Sequence, residues 1–224
     1  RLAKAATRAL VLEPALGPSG LIKTARKGIG NFEVYLRGKA SHAGLDPEAG
    51  ASAILELSHV IQQVDLLNEP DKGTTLNVGI VKGGTRPNVV AAEATASVDV
   101  RVTSRDHGRR IEERMSAIEA VNQDVAIEVS GEIRVPPLER TPRNVTLWEE
   151  ARQRGGELGL ALDQGLAGGG SDGNTTSLYT ATLDGLGCVG DGAHADHEHI
   201  ELAPTLDRCA LLARLLMAPA LSTT

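Results

Sequence analysis

Aromatic residues are nearly missing from this 224-residue chain, which holds one Trp, two Tyr and one Phe. Its core must therefore be built from Ala, Val, Leu and Ile, and it lacks the stacking platforms that a binder of single-stranded nucleic acid needs. Basic runs are also missing and the net charge is −6, which argues against nucleic acid or an anionic membrane as the main partner. No apolar run reaches the ~20 residues that cross a bilayer, so no membrane partner is expected. There are only two cysteines, Cys188 and Cys209, without CxxC spacing. They read as buried free thiols on a strand and a helix, which suits a reducing compartment and favours the cytoplasm. No signal-peptide pattern is legible, and the chain opens on Arg1 rather than on methionine, so targeting is not read from it.

What remains is ordinary for a globular protein: 41% hydrophobic and 23% charged residues, in a length that suits one large domain or two small ones. One stretch is not ordinary. Val189-Gly-Asp-Gly-Ala-His-Ala-Asp-His-Glu-His-Ile200 packs three of the six histidines and three acidic residues into one loop. Imidazole and carboxylate are the ligands zinc prefers, and flanking glycines let them approach a metal without steric cost. A solvated polar loop is the bland alternative for any lone histidine. His194, His197 and His199 stand on equal terms here, and one loop cannot fill a coordination sphere by itself.

Along the chain, the apolar run at 8–14 reads as a buried strand that ends on the carboxylate of Glu13, and 17–20 as a turn. Residues 30–38 alternate as a strand and break into a loop that carries His42. Asp46-Pro47 begins a helix to about 67, with Ala53, Ile54, Leu57, Val60, Ile61 and Val64 inward. Strands follow at 75–82 and 89–104, the second with Val98, Val100 and Val102 on one face. Ser104 caps a helix from 105 to about 120, with Ile111, Met115 and Ile118 inward. A fourth strand covers 125–133. This order, strand-helix-strand-strand-helix-strand, is the split βαβ arrangement: a four-stranded antiparallel sheet under two helices.

Pro136-Pro137 and Thr141-Pro142 mark a boundary, since paired prolines stop both helix and central strand. Beyond it a helix is expected over 144–158, stopped near Gly155-Gly156 or Gly159. A glycine loop at 167–172 feeds a helix to Tyr179, an apolar strand at 183–189 delivers the histidine loop, and a last helix spans 203–217. The fold class is α/β in two units. Residues 1–25 and 137–224 form a discontinuous α/β domain, and 26–136 an inserted α+β, ferredoxin-like domain. The outer domain has few strands and a sheet so small would leave a bare edge, so part of it is inferred to be missing.

Val11-Leu-Glu-Pro14, Gly38-Lys-Ala-Ser-His-Ala-Gly44, Asn88-Val-Val, Asp99-Val-Arg101, Gly168-Gly-Gly-Ser-Asp172 and the loop from Ala193-His194 to Glu198 occur in one order along the chain. Together they resemble the cocatalytic zinc metallopeptidase and deacylase family. That family includes glutamate carboxypeptidase, acetylornithine deacetylase, succinyl-diaminopimelate desuccinylase, aminoacylase and peptidase T. The Leu-Glu-Pro and Lys-Ala-Ser-His-Ala-Gly forms look most similar to bacterial glutamate carboxypeptidase.

The resemblance implies a catalytic domain with two zinc ions and an inserted lid that forms a homodimer. It implies Glu13 as a ligand of one zinc and His194 as the histidine ligand of the other, with Glu198 as the companion of His194. His42 stands for a lid histidine that reaches the partner subunit's active site and polarises the substrate carbonyl. Asn88 and Arg101 fall at substrate-binding positions, and Arg134 matches more weakly an arginine that binds substrate carboxylate. Gly169, Gly170 and Ser171 belong to the loop flanking the substrate's carboxylate end. The activity implied is hydrolysis of an amide in a peptide or small molecule with a free carboxylate, releasing an amino acid such as glutamate.

The family's His-x-Asp motif, its bridging Asp and its Glu-Glu pair are expected ahead of Val11-Leu-Glu-Pro14, and residues 1–10 do not supply them. The resemblance therefore covers the family's C-terminal part, and the chain is expected to be inactive alone. Acetylornithine deacetylase-like or aminoacylase-like specificity is an alternative. Two other classes compete: a non-catalytic dimerisation module, and a mononuclear metal binder built on HxxHxH.

Overall fold

The computed structural model describes residues 1–220. Its strands are β1 (Arg8–Leu10), β2 (Ile22–Arg26), β3 (Gly28–Arg37), β4 (Thr75–Gly83), β5 (Glu93–Val102), β6 (Ala126–Val135), β7 (Gln164–Ala167), β8 (Ala181–Leu183), β9 (Gly190–Asp191) and β10 (His199–Ile200). Its helices are α1 (Ala53–Asp65), α2 (Arg105–Ser116), α3 (Pro142–Glu157), α4 (Asp172–Thr176) and α5 (Leu202–Met217). The chain divides into two compact units: Gly28–Arg134, and Arg1–Lys27 together with the chain from Val135 onward.

The inserted unit has the expected architecture, with sheet order β4-β5-β3-β6. β3 and β5 pair antiparallel from Gly28 opposite Val102 to Arg37 opposite Glu93, without a slip. Period-two alternation explains the one-sided core. Phe32, Val34 and Leu36 on β3, and Ala94, Ala96, Val98, Val100 and Val102 on β5, are all buried. Leu57, Val60 and Val64 of α1 and Ile111 and Met115 of α2 pack in the same core. Both helices start where a serine hydroxyl accepts an orphan backbone N–H: Ser52 from Leu55, Ser104 from His107. Gly131 is required on β6, since at φ 141° a Cβ there would collide with the Asn31 carbonyl.

The first helix begins later than its sequence suggests. Asp46-Pro47 opens only a 3-10 turn, Pro47–Ala49. Ala51 then pairs with Lys39 across an isolated bridge, so the chain is extended again before α1. Ile54 lies at the edge of the stripe formed by Ala53, Leu57, Val60 and Val64 and is 46% exposed.

The outer unit holds parallel pairs β1 with β8 and β2 with β7, and the short antiparallel pair β9 with β10. Its core gathers Ile22, Leu147, Trp148, Ala151, Leu183, Leu211 and Leu215. Buried Asn144 stitches α3 to β8: its side chain donates to the Glu139 carbonyl at 2.7 Å and accepts the Thr182 N–H at 2.9 Å.

Four details differ from expectation here. The strand expected at 183–189 lies earlier, at β8 (Ala181–Leu183); beyond it the chain still bonds to the segment after β1, Leu186 to Val11, Gly187 to Glu13 and Cys188 to Ala15, but not as a regular strand. β2 and β7 have no counterpart in the sequence reading. Cys188 is half-buried and Cys209 is exposed on α5, so the thiols are free but not both buried. Leu206 and Leu216 also face out, because α5 buries only the stripe of Arg208, Leu211 and Leu215. Among the described residues, no helix is long and apolar enough to cross a membrane.

Candidate functional site

In the outer unit, Glu13 follows β1 and exposes half of its side chain. Its charged neighbour is Arg26, at the end of β2, whose Nη2 stands 4.0 Å from Glu13 Oε2. Arg26 itself is buried, and its guanidinium is fully engaged on one side by Asp184: Nε donates to Oδ2 at 2.8 Å and Nη2 to Oδ1 at 2.9 Å. Two parallel bonds of this kind fix both position and plane of the fork. The remaining Nη1 donates to the Gly169 carbonyl at 2.9 Å.

Asp184 is completely buried and has further donors in the Ser171 hydroxyl and the Gly185 N–H. Ser171 also caps α4, accepting the Gly173 N–H at 3.0 Å, while its own N–H donates to Asn174 Oδ1 at 2.9 Å. Asn174, buried as well, anchors this cap to the Lys27 and Pro136 carbonyls. Gly173 must be glycine because a Cβ would collide with Asp184. Lys23, on β2, is nearly buried in the same cluster; burial first, and then the Arg26 charge, lower its pKa.

This network holds the loop that carries Gly168, Gly169, Gly170 and Ser171. Gly168 and Gly169 are exposed, neither has a positive φ, and a Cβ on either would meet nothing within 4 Å. Neither turn geometry nor packing demands glycine at these two positions. What they do is leave bare backbone facing open space.

The histidine loop is closed by the β9–β10 ladder, Asp191 opposite His199 and Gly190 opposite Ile200. Among the described residues, His194 is the one non-glycine residue with positive φ, at 65°. That conformation is uncommon outside glycine, and an observed outlier of this kind is where a functional constraint is sought. His197 packs on Gly192, where a Cβ would lie 2.7 Å from its Cδ2, and His199 Nδ1 lies 3.0 Å from the His197 carbonyl. All three rings are on exposed residues. Among the described residues no group of three or more His, Cys, Asp or Glu converges as a metal site.

In the inserted unit, the His42 loop is locked locally. Nδ1 of His42 accepts the N–H groups of Gly44 and Leu45, each at 3.2 Å. A ring nitrogen that accepts carries no proton, so the proton of the neutral ring sits on Nε2, which becomes a donor. His42 bridges Val89, and the Ala43 N–H donates to the Asn88 carbonyl at 3.0 Å, which brings His42 and Asn88 to one loop cluster.

Arg101 is on β5, on the polar face opposite the core. Its Nε and Nη2 donate to Asp99 at 2.8 and 3.1 Å, with Asn31 and Asn77 directly opposite Asp99 on the flanking strands. Arg134 follows Ile133, which packs on the core, so Arg134 lies on the same polar face, one strand further from β5. Thus Glu13, His194 and the glycine loop belong to one unit, and His42, Asn88, Arg101 and Arg134 to the other.

Sequence reasoning passed over Arg26, Asp184, Lys23 and Asn174. Their one legible signal was charge inside an otherwise apolar setting: Lys23 and Arg26 beside Ile22, and Asp184 beside Leu183.

Residues 24–130 match the family described as the peptidase dimerisation domain. Across 225 residues the chain is 28% identical to Carboxypeptidase G2 from Pseudomonas sp. (strain RS-16), covering 96% of this chain and 53% of that protein. Aminopeptidase PepT from Bacillus cereus shares the fold with a TM-score of 0.82 at 23% identity, over 93% of this chain and 56% of that one. The YXEP protein of Bacillus subtilis, described as a dinuclear metal binding peptidase from the M20 family, gives a TM-score of 0.68 at 16% identity over 94% and 56%. The inserted unit is thus similar to the dimerisation domain of peptidases, and the chain as a whole is similar to part of a carboxypeptidase. It spans about half the length of the relatives it matches.

Proposed function

We propose that these residues are part of a zinc-dependent amide hydrolase of the carboxypeptidase type, which releases an amino acid such as glutamate from N-acyl or peptidyl substrates. The observation that carries this reading is the 28% identity to Carboxypeptidase G2 over 96% of the chain. In it, the outer unit is part of the catalytic domain and the inserted unit is the lid, which pairs two copies. The dimerisation-domain match supports the pairing, as does the edge strand β4, where Ile80 and Val81 are more than half exposed.

Zinc is the metal of this reading, with Glu13 and His194 as the ligands from this chain. Bound zinc would supply an activated water. Two donors do not make a zinc site, and no third converges on them among the described residues, so these residues do not hold the metal alone. The chain alone is accordingly expected to show no hydrolysis. Its own side chains have definable roles. His42 would donate its Nε2 proton to the carbonyl oxygen as negative charge develops, a contribution of about 3 kcal/mol for one such donor. Arg101, pinned by Asp99 through two of its nitrogens, keeps Nη1 for a substrate carboxylate. Asn88 sits beside His42 in the same cluster, and the bare backbone at Gly168 and Gly169 leaves room for the anionic end of the substrate.

The test uses the protein from the complete reading frame containing these residues. A panel of N-acyl amino acids should be cleaved, glutamate derivatives fastest, and His194→Ala should lose bound zinc while His197→Ala keeps it. A preference for amine-ended products such as ornithine would overturn the glutamate assignment, and equal zinc retention would overturn the ligand assignment.

A further inference from the structure

We infer that Arg26 is a positioning residue that sets the backbone of the glycine loop and faces Glu13, so that one buried guanidinium ties the proposed metal-side carboxylate to the proposed carboxylate-binding loop. This rests on the reading of those two elements given above. Nothing in the motifs of the sequence points to it; the geometry does.

Three observations carry it. First, Arg26 and Asp184 are 3% and 0% exposed, and a buried ion pair is a poor stabiliser compared with apolar side chains of the same volume. Its presence calls for something that apolar groups cannot do. Second, the donors are distributed rather than spent on the pair alone. Nε and Nη2 hold Asp184, Nη1 holds the Gly169 carbonyl, and Nη2 also lies 4.0 Å from Glu13. The planar fork of arginine spans these directions together, whereas the single ammonium of lysine does not. Third, Asp184 receives the Ser171 hydroxyl as well, so the loop is gripped at two places, Gly169 from above the guanidinium and Ser171 from the carboxylate. Gly168 and Gly169 have no side chain and make no packing contact at Cβ, so this grip substitutes for the side-chain packing that would otherwise define the loop.

Arg26 does not touch substrate in this account. It acts through the loop, which makes a structural role the competing explanation. The decisive comparison is between Arg26→Lys, which keeps the charge but not the fork, and the double variant Arg26→Met with Asp184→Leu, which replaces the pair by apolar side chains.

Two readouts are needed. In the 224-residue chain, hydrogen exchange followed by mass spectrometry reports on residues 165–174. Both variants should exchange faster there than the wild type, with the segment 93–102 unchanged. In the complete protein, both should raise KM for a carboxylate-bearing substrate, with a fall in kcat/KM approaching the ~10²-fold typical of a displaced binding group, and leave KM for the corresponding carboxamide nearly unaltered.

Unchanged exchange at 165–174 would overturn the inference. So would faster exchange with equal KM changes for carboxylate and carboxamide, since the pair would then be structural only. If the complete wild-type protein cleaves no amide, the proposed function fails, and the exchange experiment still decides whether Arg26 sets the loop.

Discussion

Arg101 offers the sharpest separation of stability from recognition. Its ion pair with Asp99 is about a third exposed on each side. Exposed pairs contribute under ~1 kcal/mol, so Arg101→Met should lower the stability of the inserted unit by no more than about that amount. A charge-assisted hydrogen bond to a substrate carboxylate contributes about 1.5–3 kcal/mol, which is roughly 10- to 150-fold in affinity. The same substitution in the complete protein should therefore raise KM by about that factor while kcat and the unfolding midpoint in urea barely move. Asp99→Asn should have an intermediate effect, because Arg101 keeps its charge but loses one of the two accepting oxygens, at 2.8 and 3.1 Å, that orient it. The assay is steady-state kinetics on a paired substrate and its α-carboxamide. A KM change of the same size on both members of the pair would refute the assignment of Arg101 to the carboxylate, as would a loss of stability of several kcal/mol.

Lys23 gives a pH signature. Burial lowers its pKa in the folded chain below the ordinary 10.5, so folding disfavours the protonated form. The cost is fully present below the folded pKa and is relieved as pH rises from there toward 10.5. The stability of the wild type relative to Lys23→Met, measured by urea unfolding, should therefore increase with pH in the alkaline range; a flat difference would contradict the burial of a charged amine. Gly169→Ala should be neutral or stabilising by up to ~1 kcal/mol, because the φ is ordinary and the added Cβ meets nothing. In the complete protein it should nevertheless raise KM for the carboxylate substrate, and an unchanged KM would remove the loop from the binding site.

Much of the inserted unit was legible because its pattern is local. Val98, Val100 and Val102 alternate, and Ser104 stands where an orphan helix N–H needs an acceptor. What was lost was non-local. β2, with Lys23, Thr24 and Arg26 among its five residues, looks too polar to be a buried strand, and partners far along the chain, Asp184 and Gly169 for Arg26 and Gln164 for Thr24, make that burial tolerable. β7 carries Gly165 and gave no strand signal; its pairing with β2 defines it. Of the two glycine stops offered for α3, Gly159 is the one used, at φ 77°, while Gly155 lies inside the helix because Leu162 needs the space beside it. Ile54 fits a helical stripe, but the stripe that is buried centres on Ala53, Leu57, Val60 and Val64 and leaves Ile54 at its edge.

The candidate site divided in the same way. His42, Glu13 and the glycine loop were visible as residues, because loops and strand ends interrupt a pattern. The tautomer of His42 was not, since it depends on the Gly44 and Leu45 N–H groups turning back on Nδ1. Nor was the strain at His194, a matter of one φ angle. The histidine cluster was conspicuous in sequence, but its three rings do not converge on a common point with a third donor among the described residues.

The central claim is that these residues belong to a metal-dependent amide hydrolase. Hydrolysis of an N-acyl glutamate by the complete protein, followed before chelation, after chelation and after zinc is restored, tests it most directly. Glutamate release should stop on metal removal and return with zinc; release that persists unchanged without metal, or none from the metal-loaded protein, would rule out a metal-dependent amide hydrolase.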